Sequence, residues 1–278
     1  MAYASNNGIR IHYELIGSEG RSDLPLLVLV NGLGGQCISY RDELCAMYVG
    51  SGVRVLRMDN RDVGLSDSCE AGYTLADMAD DVVAVLDAVG EDRAHVLGMS
   101  LGGMIVQTLA ITHPKRLVSV TSVMSTTGHP GVGQPSDEAK RLLLTPGSTS
   151  RDDAIRAHLS GLEVWGSPGR VEVEAERQYA GHAFDRACRP DGVARQYKAA
   201  RSDGSRDERL RQVRTPFFVV HGSADTLIDV SGGRHTAAVV PGAHLTVVDG
   251  MGHDLPRYFW PRLVDHFRRQ VLPSTTRE

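Results

Sequence analysis

Two hundred and seventy-eight residues, 41% hydrophobic and 23% charged, make a chain long enough to bury an aliphatic core without disulfide or metal staples. A net charge of −4 with both signs interspersed excludes the concentrated basic stripe of a nucleic-acid surface, so no nucleic-acid partner is expected. No apolar run approaches the roughly 18 residues of a membrane helix, so no membrane span is expected either.

The first residues, Met1 to Asn7, are polar and lack the basic-then-apolar pattern of a secretory leader. Ile9 to Ile16 alternates as a strand. Pro25 to Val30 is a continuous apolar run, the signature of a strand buried on both faces, and it ends in Asn31-Gly-Leu-Gly-Gly35. Val53 to Met58 is a third strand, closed by Asp59. Thr74 is placed to cap a helix whose apolar positions, from Leu75 to Val89, recur at helical spacing, and Gly90 ends it. Ala94 to Leu97 is a strand, Leu101 to His113 a helix stopped by Pro114, and Leu117 to Met124 a strand. This β-α-β-α-β order implies a mostly parallel sheet flanked by helices, with right-handed crossovers.

The rhythm then breaks. Residues 125–214 are polar, punctuated by Gly and Pro, and helical in pattern, with Asp152 to Leu162 and Val171 to Phe184 as helices. The Arg-rich stretch Arg201 to Arg214 is offset by Asp203, Asp207 and Glu208 and is expected to be a solvated face. Strands return at Thr215 to Val220 and His244 to Val248, with helices over Ser231 to Val239 and Pro256 to Val271. The expected organisation is one α/β core, residues 1–124 and 215–278, interrupted by a helical insertion over 125–214.

Gly98-Met-Ser-Leu-Gly102 is a Gly-x-Ser-x-Gly sequence lying between a strand and a helix. That context is what a nucleophile elbow requires: the turn is sharp, its backbones come close, and the Ser100 hydroxyl stands at a helix N-terminus. A serine needs a base, and the base needs an orienting group. Of eleven histidines, His253 lies in the loop after the last strand, which opens on the same sheet edge as Ser100. His221 also follows a strand but is placed to support the loop beyond it, and His95 and His113 are structural by position. Asp225 follows the strand ending at Val220 and gives the order Ser, acid, His; Asp229 is the competitor, four residues on and entering a helix. The oxyanion donors are expected to be the backbone N–H groups of Leu101 and, from the Gly-rich loop after the first buried strand, Leu33.

These elements, in this order, resemble the α/β-hydrolase fold superfamily over nearly the whole chain. The carriers are Asn31-Gly-Leu-Gly-Gly35, Asp59-Asn-Arg-Asp-Val-Gly-Leu-Ser66, Gly98-Met-Ser-Leu-Gly-Gly103, His221-Gly-Ser-Ala-Asp225 and Gly252-His253. The Asp59–Ser66 loop and Val123-Met-Ser-Thr-Thr-Gly128 are more particularly similar to actinobacterial serine esterases and anthracycline methyl esterases. Asn31 departs from the histidine many relatives carry there, but its amide can still hold neighbouring backbone. The resemblance implies a serine carboxylic-ester hydrolase with no cofactor and no metal, acting on soluble small-to-medium esters. Other triad chemistries stay open: thioester or C–C cleavage, perhydrolysis, acyl transfer, or a ligand-binding module on the same fold. The insertion then corresponds to a helical cap, with Met99, Met124 and Trp165 as substrate-binding candidates. The four cysteines form no Cys-x-x-Cys pair, so a reduced, cytoplasmic location is expected.

Overall fold

The computed structural model describes residues 1–18 and 23–272, so the last residues of the expected core span, 273–278, lie outside the described residues. In chain order the elements are β1 (Ala2–Asn6), β2 (Ile9–Ile16), β3 (Leu26–Val30), α1 (Asp42–Val49), β4 (Arg54–Met58), α2 (Leu75–Ala88), β5 (Ala94–Met99), α3 (Leu101–Thr112) and β6 (Leu117–Val123). Five helices follow: α4 (Asp137–Leu143), α5 (Arg151–Trp165), α6 (Val173–Arg186), α7 (Pro190–Ser202) and α8 (Asp207–Leu210). The chain closes with β7 (Phe217–Gly222), α9 (Ser231–Val239), β8 (His244–Val248) and α10 (Trp260–His266). The strands form one eight-stranded sheet in the order β1-β2-β4-β3-β5-β6-β7-β8. β1 and β2 are antiparallel, β2 meets β4 antiparallel, and every later pairing is parallel.

The sheet divides the core by the period-2 rule of strands. Leu26, Val28 and Val30 of β3 face a cluster with Leu75, Met78 and Val82 of α2 and Ile105 and Leu109 of α3. Leu27 and Leu29 face the opposite cluster, with Leu44 and Tyr48 of α1 and Trp260 and Leu263 of α10. All five β3 residues are buried, which explains why that strand is read as an unbroken apolar run. Thr74 caps α2 as expected, in a capping box: Asp77 N–H donates to Thr74 Oγ1 at 3.2 Å and Thr74 N–H to Asp77 Oδ2 at 2.8 Å.

Several elements were not foreseen. β1 is short and mostly exposed, and among the described residues pairs only with its hairpin partner, so it carries no apolar pattern. α1, α4, α7 and α8 also went unread. The final helix is segmented, with a 3₁₀ turn at Arg257–Phe259 and a wider π-type turn at Phe267–Val271. The stretch Arg201 to Arg214 requires a correction. Arg206 is fully buried, and its guanidinium donates to Thr126 O at 2.8 Å, Asp203 Oδ2 at 2.9 Å and Gln107 Oε1 at 3.2 Å. Charge balance along a segment does not reveal which cation turns inward to satisfy buried carbonyls.

Candidate active site

Ser100 sits between β5 and α3 with φ 55° and ψ −118°, a conformation that costs a non-glycine residue about 1–3 kcal/mol. The glycines around it make that turn possible. A Cβ on Gly98 would lie 2.1 Å from Gly102 O, and one on Gly102 would lie 2.2 Å from Val30 O. The strain is held by neighbouring strands: Ser100 N–H donates to Val123 O at 2.9 Å, and Ser125 Oγ donates to Ser100 O at 2.8 Å. Gly32 backs directly onto the serine, because a Cβ there would meet Ser100 Cβ at 3.2 Å.

Asp225 follows β7, and its carboxylate is completely enclosed. Oδ1 accepts the Leu227 and Ile228 N–H groups, each at 2.9 Å, and Oδ2 lies 2.7 Å from His253 Nδ1. Burial disfavours the charge, but His253 and His221 outweigh it and hold the carboxyl well below the usual carboxylate range. An ionised carboxylate only accepts, so Nδ1 of His253 donates in this contact and Nε2 is the ring nitrogen turned to other chemistry. Neither His253 Nε2 nor Ser100 Oγ is hydrogen-bonded to another group among the described residues.

His221 has the supporting place read from its position. Its Nε2 lies 2.8 Å from Ile228 O and 3.3 Å from Asp225 Oδ2, bracing the Asp225 turn. Asp229 caps the next turn through a 2.9 Å bond from Ser231 N–H, and among the described residues the carboxylate bonded to His253 is that of Asp225. His95 is buried against Ser119 Oγ at 2.7 Å.

The Asn31–Gly35 loop leaves β3 at the same sheet edge. It turns tightly, with Gly35 N–H donating to Gly32 O at 3.1 Å and Gly34 at φ 68°. The N–H groups of Leu33 and Leu101 have no acceptor among the described residues, Leu101 being the first residue of α3. Asn31 holds backbone as expected, its Nδ2 donating to Met58 O at 3.3 Å, while its buried Oδ1 has no partner among the described residues.

Sequence reasoning missed how the inserted helices grip these loops. His253 N–H donates to Trp165 O at 2.6 Å. Ser167 Oγ donates to Asp254 Oδ1 at 2.5 Å and accepts Gly252 N–H at 2.9 Å. Further along, Gln196 of α7 accepts Gly34 N–H, and Arg186 of α6 pairs with the buried Asp59 at 2.7 Å. Such bonds span tens of residues and leave no local pattern to read. As for the pocket candidates, the Trp165 ring packs over Gly161, one turn earlier in α5. Met124 is buried in the core cluster at φ 42°, with Met99 packed against it.

One trio of metal-ligating residue types, His12, Glu14 and Cys37, converges among the described residues. The Arg186 guanidinium already lies in it, 3.3 Å from His12 Nδ1 and 3.2 Å from Cys37 Sγ, and Asp59 Oδ2 is 3.0 Å from His12 Nδ1. A cation is thus built into the cluster. A cavity of about 340 Å³ is lined by Asp225 together with Pro135, Thr226, Asp229 and Ser231 among others.

Comparison with known proteins agrees with this architecture. The chain is 30% identical over 250 residues to a putative carbamate hydrolase, RutD, of Caulobacter sp. (strain K31), covering 87% of this chain and 88% of that protein. It is 28% identical to the rhodomycin D methylesterase DnrP of Streptomyces peucetius, covering 91% of each. Among solved structures, the esterase RhEst1 from Rhodococcus sp. ECU1013 superimposes with a TM-score of 0.79 at 25% identity, over 99% of this chain and 98% of that one. The family model described as the alpha/beta hydrolase fold matches residues 25–256, and the chain belongs to that family.

Proposed function

We propose that this protein is a serine hydrolase of carboxylic esters working through an acyl-enzyme. The observation that carries the reading is the His253–Asp225 contact, Nδ1 to Oδ2 at 2.7 Å, on the sheet edge where the strained Ser100 turn leaves β5. Similarity to a methylesterase and an esterase supports the ester bond as the target.

In this reading Ser100 Oγ attacks the ester carbonyl carbon while His253 Nε2 takes its proton. The carbonyl π pair moves to oxygen, and the Leu33 and Leu101 N–H groups receive the oxyanion, each worth about 3–4 kcal/mol in the transition state. Collapse breaks the C–O bond, and His253 returns the proton to the departing alkoxide, releasing an alcohol. Water then adds to the acyl carbon with His253 as base, and expulsion of Ser100 releases the acid. Asp225 keeps the imidazole in the reactive tautomer and stabilises its cation.

Residues 125–214, with their inserted helices, act as the cap, and Met99, Met124 and Trp165 are the pocket candidates to be mutated first. A second reading, cleavage of a carbamate by the same attack, has the similarity to RutD behind it. The deciding experiment joins fluorophosphonate labelling with a panel of short esters, thioesters and carbamates. Labelling and ester turnover should both vanish in Ser100→Ala and collapse in His253→Ala. Full turnover by Ser100→Ala would overturn the mechanism, and a clear preference for carbamates would move the reading to the second.

A further inference from the structure

The Gly32–Gly35 loop is not held by the core alone. Gln196, on the inserted helix α7, is completely buried, and both ends of its amide are used across two core loops. Its Oε1 accepts Gly34 N–H at 3.0 Å, and its Nε2 donates to Arg61 O at 2.8 Å. The same helix comes close on either side: a Cβ on Gly34 would meet Val193 Cγ2 at 3.2 Å, and one on Gly192 would meet Asp62 O at 2.1 Å. Arg195, also on α7, makes a two-pronged contact with Asp62 at 2.8 Å for each bond. The next residue after the loop is tied down from the insertion as well, Gln36 Nε2 donating to Ala183 O at 2.7 Å and Ala187 O at 3.0 Å.

We infer that Gln196 is a positioning residue for the oxyanion site: by holding Gly34 N–H it fixes the loop orientation that turns the preceding Leu33 N–H toward the carbonyl oxygen. A tight Gly-rich turn has several backbone states of similar energy, because glycine adopts positive and negative φ alike. An acceptor fixed at Gly34 selects one of them. The hole is thereby finished by a side chain arriving from 162 residues further along the chain, so its formation depends on seating of the insertion. This inference rests on the proposal that Leu33 faces the oxyanion.

The test compares a trifluoromethyl ketone with its methyl ketone counterpart. Addition of Ser100 Oγ to the activated ketone, with its proton passing to His253, leaves a tetrahedral oxyanion in the hole, whereas the methyl ketone binds without forming one. The ratio of the two inhibition constants therefore reads the hole and cancels general binding. In Gln196→Met the ratio should fall about ten-fold or more, a fraction of the 10²–10³ lost on removing a donor outright. Methyl ketone binding should stay within about two-fold. Gln196→Glu keeps an acceptor for Gly34 and loses the donor to Arg61, so it should retain most of the ratio. Arg151→Ala, which breaks an exposed pair with Asp185 inside the insertion, tests whether loosening that segment suffices, and its ratio should hold.

An unchanged ratio in folded Gln196→Met, or equal losses in Gln196→Glu and Gln196→Met, would overturn the inference. Should neither Gln196 variant fold, hydrogen exchange in the wild type decides: a protected Gly34 amide supports the clamp, and exchange at the rate of an open loop refutes it. A wild type that does not distinguish the two ketones would instead sink the proposed hydrolytic mechanism itself.

Discussion

The backbone of His253 is fastened to the backbone of Trp165, N–H to carbonyl oxygen at 2.6 Å. Trp165 ends α5, so the last turn of an inserted helix supplies an orphan carbonyl that satisfies the loop carrying the proposed base. Close approach demands a residue without a side chain, and a Cβ on Gly252 would lie 2.5 Å from that same carbonyl. Ser167 and Asp254 stand beside this contact as a side-chain latch. The two parts of the chain that meet here are separated in sequence, yet the imidazole can be aimed only if both are in place.

Removing the latch should therefore cost more in turnover than in substrate binding. Ser167→Ala deletes a hydroxyl that serves both Asp254 and Gly252. Among the described residues this leaves the half-buried Asp254 carboxylate only the Ser167 N–H and the buried Gly252 N–H no acceptor, at about 1–3 kcal/mol of stability. A loosened His253 loop is expected to lower kcat about ten-fold, since misplacement by an ångström can cost roughly a hundred-fold. Kinetics corrected by active-site titration would check this. Full kcat in a destabilised Ser167→Ala would reduce the latch to a folding element.

The elbow makes a sharper steric prediction. Gly98→Ala puts a methyl 2.1 Å from Gly102 O, and that oxygen belongs to helix backbone that cannot step aside. We expect a loss of about 4 kcal/mol or more, or failure to fold. Gly72→Ala, where a Cβ meets nothing within 4 Å, should change stability by no more than about 0.5 kcal/mol. Urea unfolding of the pair measures the contrast, and similar midpoints would contradict the geometry.

Legibility in the sequence followed physical range. β3 and α2 were readable because each pairs a local hydrophobic pattern with a local stop signal, and their observed limits fall within a residue or two of those expected. The placement of Ser100, Asp225 and His253 at one sheet edge was readable because parallel pairing brings the carboxyl ends of β3 to β8 to that edge, so position after a strand is nearly position in space. Gln196, Ser167 and Arg206 were opaque. Each is a polar residue on a polar helical segment, and what makes it special is a partner in another element that no periodicity announces.

Arg206 supplies the corresponding test. Its charge is buried, and burial works against it, while Asp203 offers the compensating carboxylate. Arg206→Ala leaves Thr126 O and Gln107 without their donor and creates a cavity at the base of the insertion. A loss of about 3–5 kcal/mol is expected, because truncating a fully buried arginine leaves buried acceptors unsatisfied beside the new cavity. Chemical denaturation checks the value, and a change below about 1 kcal/mol would restore the solvated reading of that segment.

His95 should give the protein a distinct acid sensitivity. Burial beneath the Phe267 ring edge holds its imidazole down to about 4, well under the 6.5 of an unfolded histidine. The folded state keeps the ring neutral while the unfolded state takes up a proton. Stability from this source is therefore complete above pH 6.5 and is lost as pH falls toward 4, by about 3 kcal/mol in all. Asp225 follows the same sign in a lower window, because its folded carboxyl also binds a proton less readily than the unfolded one. Its depressed carboxyl stabilises fully above about 4 and loses that contribution only in stronger acid. Unfolding free energies measured between pH 7 and 4.5 should thus fall for the wild type and flatten in His95→Gln; equal slopes would place the titration elsewhere.

The outside of the insertion argues for dissolved substrates. Enzymes that work at an oil interface need a broad apolar surface to adsorb, and scattered single residues do not provide one. Here the exposed faces of α5 and α6 carry Arg151 paired with Asp185, Arg156 with Asp153, and Arg177 near Glu174. Leu144 and Val173 are the large apolar side chains prominently exposed among the described residues of this region, at 52% and 55%, and they lie apart in sequence, one after α4 and one opening α6. Attachment of the inserted helices through ionic contacts to the buried carboxylates of Asp59 and Asp62, from Arg186 and the half-buried Arg195, also opposes the large lid opening that interfacial activation requires. Rates on a series of monodisperse esters should consequently rise smoothly with concentration and show no jump at the solubility limit. Emulsified long-chain triglyceride should be turned over poorly. A steep rise on emulsion formation, with weak activity toward dissolved short esters, would show that the insertion opens at a lipid surface and would overturn the expectation.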